Sequence, residues 1–346
     1  MQIKEKLYVG LDLHSNNSYL AIVDQKGKRV FNKRVVNDLD MIFAAIEPFK
    51  KNISDITVES TYNWYWLVDG LMEKGYRVHL ANPNAIKQYS GKKFVDDKHD
   101  AFFLAELLRL GILPEGYIYP KEKRPLRDLL RRRMTFVQNK TEFTLGLQSM
   151  IIRNTGSAMS TKQIRSMTEV EVKELFPDPA LELAANSNMD IIALLDNKIK
   201  TLEKYINADQ YVKENTGMLK TIPGVGIILS LTIALETGAI SRFKEVGNYS
   251  SYCRCVESKC TSNNKKKGEN NRKNGNKYLA WAYVEAANFA IRYYPEINAY
   301  YQKKAKKTCR VVALKTVAHK LARAAYFVMR DRTPFVMEKA FALQIK

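Results

Sequence analysis

The stretch LYVGLDLHSNNSYLAIVD, residues 7–24, decides the fold class of the N-terminal region. LYVGLDL is apolar and β-prone, HSNNS supplies turn formers, and YLAIVD resumes the strand pattern. QKGK (25–28) is a hairpin turn, and RVFNKRVV (29–36) reads as a third strand. Leu39 to Lys51 has helical spacing, and ITVES (56–60) is a short buried strand. Tyr62 to Lys74 is helical and stops at Gly75, before the strand YRVHLAN (76–82). Three strands, helix, strand, helix, strand is an α/β order with an antiparallel start.

Beyond this core the pattern turns helical. Lys98 to Leu110 reads as a helix closed by Gly111 and Pro114, and a long helix runs from about Pro125 to Arg153. The long helix begins with a basic patch, Arg131, Arg132 and Arg133, a candidate nucleic-acid contact. Short helices are expected between Thr155 and Asn188. Ile191, Leu195, Ile199, Leu202 and Ile206 then recur at helical spacing, as in a helical hairpin or coiled coil able to dimerise. Leu219 to Glu236 is helix–turn–helix-like. Ser262 to Lys277, poor in apolar residues, is expected to be an exposed loop, and Tyr278–Tyr294 and Val311–Met329 are strong helices. The expected division is 1–122, 123–212 and 213–346.

Composition narrows the partners. The chain has 346 residues, 46% apolar and 27% charged, as expected of a globular protein of two or three domains. Its longest apolar run, Ile222 to Leu235, is broken by Pro223 and two glycines and is too short to span a bilayer. The opening MQIKEKLYVG lacks the apolar core of a signal peptide, and 4 cysteines make no disulfide framework, so a reducing cytoplasm is expected. The net charge is +20, and residues 242–346 carry +16 of it, from 23 Lys/Arg against 7 Asp/Glu. A basic excess confined to one third of a chain points to a polyanion, nucleic acid above all, and no basic amphipathic anchor suggests a membrane.

Carboxylates end three separate elements. Asp12 lies in GLDLH, Glu59 ends the apolar strand in TVES, and Asp97 and Asp100 stand three apart at a helix start. A strand-end Asp is often a turn former, and Asp97 could simply cap its helix. Glu59 is the most informative, because a carboxylate closing a buried strand is costly without a partner. Together the four could hold one or two Mg²⁺ ions against a scissile phosphate. His14 and His99 adjoin the acids and could touch metal or DNA.

GLDLH, TVES and D-x-x-D-A (Asp97 to Ala101) resemble the D-E-D-D pattern of the insertion-sequence-110 class of transposases, whose first domain is a RuvC-like version of the RNase H fold. The resemblance implies that Asp12, Glu59, Asp97 and Asp100 are metal ligands. The family commonly has Lys-Thr or Lys-Ser before the third acid. Here Val95-Asp96 stands there, so Asp96 competes with Asp97.

The C-terminal third carries a second set of motifs. LKTIPGVG (219–226) is a turn between helical runs. Gly224 and Gly226 permit close backbone approach, and the following helix offers N–H groups to a phosphate, as in a helix–hairpin–helix. IPGVG, SRFKEVGNYSSYC, a basic loop and NGNKYLAWAYVEAA match in order the second domain of the same transposases. Aligning on Asn274-Gly275-Asn276-Lys277 places Ser262 on the family's DNA-attacking serine, with Ser258 and Thr261 as alternatives. Asn263 stands where the family usually has glycine, and Arg254-Cys255-Val256-Glu257 replaces a Gly-Leu-Val-Pro stretch. Lys265, Lys266, Lys267, Arg272, Lys273 and Lys277 supply positive charge for a phosphorane-like transition state. Without the resemblance, a solvated loop that binds phosphates is the plainer reading. Cys253, Cys255 and Cys260 lack a nearby fourth zinc ligand.

The resemblance, from Tyr8 to about Arg330, implies a prokaryotic, nucleoid-associated transposase acting through a phosphoserine intermediate. It implies a structured bridge RNA that pairs with donor and target DNA, and dimers that join into tetramers. Other readings remain beside it. A RuvC-like junction nuclease would need the four acids but not Ser262, and an inactive relative would bind nucleic acid without chemistry. A sugar-kinase-like ATPase fits poorly, because Leu13-His14-Ser15-Asn16 replaces the small residues such a phosphate loop favours.

Overall fold

The structure, a computed structural model, describes residues 5–86, 96–209, 216–258, 260–263, 265–268 and 274–341. The chain forms two compact units, one built on the residues up to Lys121 and the other on those from Glu122 onward. The second unit thus takes in both the helical middle and the basic last third. Among the described residues no helix is long and apolar enough to cross a membrane.

The first unit is a mixed six-stranded sheet in the order β3-β2-β1-β4-β5-β6. β1 (Leu7–Leu13), β2 (Asn17–Asp24) and β3 (Arg29–Val36) form an antiparallel meander. β4 (Ile53–Glu59) pairs parallel with β1, and β5 (Val78–Ala81) parallel with β4. The short β6 (Glu115–Gly116) closes the edge antiparallel to β5. The connections into the parallel strands carry α1 (Leu39–Ile46) and α2 (Tyr65–Glu73), as parallel pairing requires. Val9, Leu11, Leu13, Leu20, Ile22, Ile56, Val58, Leu67 and Leu71 form the core between these helices and the sheet.

The opposite face is covered by α3 (Asp97–Arg109), through Ala101, Phe102 and Ala105 against Ala21 and Val23. Gly10 makes this close approach possible. A Cβ there would lie 2.1 Å from the Ala101 carbonyl oxygen and 2.7 Å from the Ala105 nitrogen. Gly10→Val is therefore expected to force α3 off the sheet, cost about 3 kcal/mol, and lower Tm by several degrees. A thermal melt unchanged by this substitution would contradict the packing.

β4 also shows how this sheet handles a buried acid that has a structural role. Asp55, 3% exposed, accepts hydrogen bonds from Arg77 and from Ser54 Oγ (2.6 Å), and His79 Nε2 lies at 3.0 Å. Burial raises its carboxyl, but the hydrogen bonds outweigh this and hold it at about 2. A depressed folded value means stability that is complete above the ordinary pKa of 3.8 and lost as pH falls toward 2. The stability gap between wild type and Asp55→Asn should therefore be widest above pH 4 and narrow in acid, as denaturant titrations at several pH values would reveal.

The second unit is mostly helical. α4 (Arg124–Thr155) and α7 (Pro179–Ala208) pack as a long hairpin, bridged by the short helices α5 (Thr161–Ser166) and α6 (Glu169–Leu175). Capping boxes at Ser160/Gln163 and Thr168/Glu171 start the two short helices. The buried stripe on α7 is Ala185, Ile192, Ile199 and Ile206, a heptad spacing; Ile191, Leu195 and Leu202 flank it, half-buried. α8 (Ile227–Thr237), α9 (Val246–Tyr252), α10 (Lys277–Tyr293), α11 (Pro295–Lys307), α12 (Arg310–Asp331) and α13 (Met337–Phe341) complete the unit. Its core is centred on Tyr249, Tyr283, Ala286, Val317 and Leu321.

The tract expected to be wholly loop contains a two-stranded ribbon, β7 (Cys260–Ser262) with β8 (Lys265–Gly268). KKKG has no apolar alternation, so the backbone pairing of this ribbon has no periodic signal in the sequence. The helix–turn–helix expected from Leu219 is, among the described residues, a single 3₁₀ turn (Leu219–Thr221) before α8.

Candidate functional site

Parallel pairing of β1 with β4 brings Asp12 and Glu59 to the same end of the sheet. Asp12 is 4% exposed, and its carboxylate is hydrogen-bonded to that of Glu59. Burial pushes both carboxyls up, Glu59 to about 8, with Asp12 as its hydrogen-bond partner and Asp12 and Asp100 as neighbouring charges. The pair therefore shares a proton near neutral pH. Asp55 and Glu59 lie on one strand, but among the described residues only Asp55 is matched by a guanidinium. Glu59 is matched by another acid.

Asp97 and Asp100 occupy the first turn of α3, where the helix dipole favours negative charge. Asp100 acts electrostatically on both Asp12 and Glu59. Asp96 is the N-cap: its Oδ1 accepts from the His99 backbone N–H at 2.7 Å and lies 2.6 Å from His99 Nδ1. That role ties Asp96 to the helix end, while Asp97 joins the acids.

His14 joins them too. Its Nε2 lies 3.3 Å from Asp12 Oδ2 and 3.2 Å from Asp97 Oδ1, and the donor atoms of these three residues all fall within 4.8 Å of one another. Its backbone is pinned. The N–H donates to Asn17 O (2.9 Å), and the carbonyl accepts from Asn37 Nδ2 (2.9 Å) and Asn63 Nδ2 (3.0 Å). The sequence signalled His14 only by its place two residues after Asp12. The tethers from Asn37 and Asn63 had no local signal. Carboxylates gathered this closely are a donor set suited to a hard divalent cation.

Ser262 is exposed and ends β7, in register opposite Lys265; Thr261 is opposite Lys266. Asn263 begins the turn with φ 51°, the left-handed region that glycine enters freely and that asparagine tolerates best among other residues. Asparagine thus meets a backbone demand that glycine would meet most freely. Asn263→Gly is expected to keep the ribbon intact, whereas the β-branched Asn263→Val should raise amide exchange at Ser262 by about tenfold or more by straining the turn. Equal exchange in the two variants would contradict the left-handed turn.

The basic residues divide. Lys265, Lys267 and Lys277 are exposed, whereas Arg272 and Lys273 lie outside the described residues, as does the side chain of Lys266. Arg131 makes a two-pronged ion pair with the buried Glu236 (2.6 and 2.8 Å), which also accepts from Asn276 Nδ2 at 2.7 Å. Asn276 Oδ1 in turn caps α10, so Asn276 of the NGNK motif is an internal anchor. Arg133 pairs with Glu203 (2.8 Å), and Arg132 alone of the three is exposed. Gly224 (φ 78°) packs on α10, where a Cβ would lie 2.1 Å from the Ala286 carbonyl oxygen. Gly226 faces open space at the start of α8. Burial pushes the Cys253 thiol well up and that of Cys255 to about 12, so both are neutral thiols.

Comparison with known proteins bears on both units. The transposase profile of the IS110 DEDD class matches residues 9–153, the span that holds all four acids. The profile of the transposase IS116/IS110/IS902 family matches residues 217–302, the span that holds Ser262. The transposase for insertion sequence element IS1533 of Leptospira borgpetersenii is 22% identical over 255 residues, covering 71% of this chain and 73% of the relative. The transposase for insertion sequence element IS1111A of Coxiella burnetii is 21% identical over 298 residues, covering 84% and 79%. With both profiles matched in order along one chain, the protein belongs to the IS110 family of insertion-sequence transposases.

Proposed function

We propose that this transposase cuts and rejoins donor and target DNA through a covalent phosphoserine intermediate. In this reading Ser262 is the nucleophile, and Asp12, Glu59, Asp97 and Asp100 hold one or two divalent cations, Mg²⁺ in the first instance. The observation that carries it is the gathering of Asp12 and Glu59, from the paired strands β1 and β4, with Asp97 from the start of α3. A bound cation would supply Lewis-acid stabilisation of charge developing on the phosphate oxygens. The strand order 3-2-1-4-5 with an antiparallel start supports an RNase-H-like domain of the RuvC kind.

The protein's own residues have defined tasks in this scheme. Ser262 Oγ forms a bond to phosphorus while the bond to one deoxyribose oxygen breaks, and that oxygen leaves with a proton. Rejoining reverses the exchange, so ester energy is conserved and no nucleotide cofactor is consumed. Lys265, opposite the serine, together with Lys266, Lys267, Arg272, Lys273 and Lys277, would neutralise the phosphate. Arg132 and the open backbone at Gly226 would contact nucleic-acid backbone, whereas Arg131, Arg133 and Gly224 support the framework. Sequence choice is assigned to a structured guide RNA, and the net +20 suits a protein that binds RNA and DNA together. Exposed Leu145, Ile152, Leu183 and Leu194 on the α4–α7 hairpin suit self-association into dimers and then tetramers.

The test combines purified protein, its co-expressed RNA, Mg²⁺ and labelled donor and target DNA. Joined product and a denaturation-resistant protein–DNA adduct, both absent with Asp12→Ala and with Ser262→Ala, are expected. Cleavage that survives Ser262→Ala and leaves no adduct would identify a RuvC-like nuclease instead. Binding of nucleic acid without cleavage would identify an inactive relative.

A further inference from the structure

The gathered acids have a nitrogen donor among them. We propose that His14 is a ligand of the cation held by the acid cluster, making it a mixed oxygen–nitrogen centre that takes Mn²⁺ in preference to Mg²⁺. The inference rests on the reading of Asp12, Glu59, Asp97 and Asp100 as metal ligands and adds a fifth residue to them.

Three observations carry it. His14 Nε2 stands 3.3 Å from Asp12 Oδ2 and 3.2 Å from Asp97 Oδ1. Donors in adjacent positions around an octahedral ion, with bonds of about 2.1 Å, lie about 3 Å apart, so these separations need little adjustment for one ion to be shared. The imidazole is also not placed by core packing, since its side chain is 43% exposed. What places it is the pinned backbone: Asn17, Asn37 and Asn63 hold the loop on both its N–H and its carbonyl. A loop fixed in this way holds the ring's attachment point within reach of two carboxylates, as a preorganised ligand needs. Finally, the donor type has a consequence. Mg²⁺ favours oxygen and retains water, whereas imidazole nitrogen suits first-row transition ions, so a neutral His14 ring shifts selectivity toward Mn²⁺.

Pulsed electron paramagnetic resonance of Mn²⁺ bound to the full-length protein tests this without reference to activity. The wild type is expected to give a ¹⁴N coupling from a directly bound imidazole. His14→Asn should remove the coupling and weaken Mn²⁺ binding by about tenfold or more, with Mg²⁺ binding changed by less than about threefold. His99→Asn should leave the spectrum unchanged. Bound Mn²⁺ without ¹⁴N coupling in the wild type would overturn the role of His14 and leave the acid cluster as an all-oxygen site. A coupling that survives His14→Asn and disappears with His99→Asn would overturn it equally. Failure of the wild type to bind Mn²⁺ or Mg²⁺ would overturn the metal-centre reading itself. If His14→Asn folds poorly, His99→Asn decides the question: a coupling that persists there supports His14, and one that disappears overturns its role.

Discussion

Asp12→Ala is expected to slow DNA cleavage by at least about a thousandfold, equivalent to about 4 kcal/mol of barrier, while the protein stays folded. Asp12 is the hub of the cluster: it is hydrogen-bonded to Glu59, its Oδ2 lies 3.3 Å from His14 Nε2, and it is within the field of Asp97 and Asp100. Its loss removes the donor that all the others surround. The effect on stability should run the other way. A buried carboxylate matched mainly by another carboxyl is held in place at a cost, because burial disfavours its charged form. The isosteric Asp12→Asn protein should therefore melt at or above the wild-type temperature when no divalent cation is present. Added Mg²⁺ should raise Tm for the wild type and much less for Asp12→Asn, since a ligand stabilises a protein only through its affinity for the folded state. Near-normal cleavage by Asp12→Asn, or a wild type whose Tm ignores Mg²⁺, would contradict the assignment.

Ser262→Ala should be as severe for joining, a loss of about a thousandfold or more, yet it should leave cation binding and stability unchanged. Ser262 is exposed at the end of a small ribbon, so its side chain contributes nothing to the core. Ser258→Ala and Thr261→Ala serve as controls, both expected to retain joining within a few fold. Measuring adduct yield, joined product and Mg²⁺-dependent Tm on the same preparations separates the roles, because Asp12→Ala should change all three readouts and Ser262→Ala only the first two. Loss of the adduct with Thr261→Ala and its persistence with Ser262→Ala would move the nucleophile by one residue.

The local part of the structure was legible in the sequence. Alternation and turn residues placed β1 to β5, and the Asp-x-x-Asp spacing placed the start of α3 to within a residue. Asp12 and Glu59 could be grouped because each lies at the C-terminal end of a strand, and parallel strands deliver those ends to one end of the sheet; Asp97 and Asp100 open a helix. What escaped depends on distant partners. Arg131 and Arg133 look like a basic patch, but their acids, Glu236 and Glu203, lie 105 and 70 residues away. Gly224 looks like a phosphate-binding turn, yet its missing Cβ makes room for α10. The buried stripe of α7 falls on Ile192, not Ile191, because the approach of α4 sets which flank of a broad apolar face is covered. The β7–β8 ribbon has no apolar periodicity to betray it.

The most direct test is to map the covalent bond. Protein trapped on donor or target DNA would be digested with nuclease and protease, and the nucleotide-bearing peptide sequenced by mass spectrometry. A nucleotide on Ser262 Oγ is expected, formed only with a divalent cation and absent from Asp12→Ala. A nucleotide on any other residue, or DNA cut to free ends with no modified peptide, would contradict it.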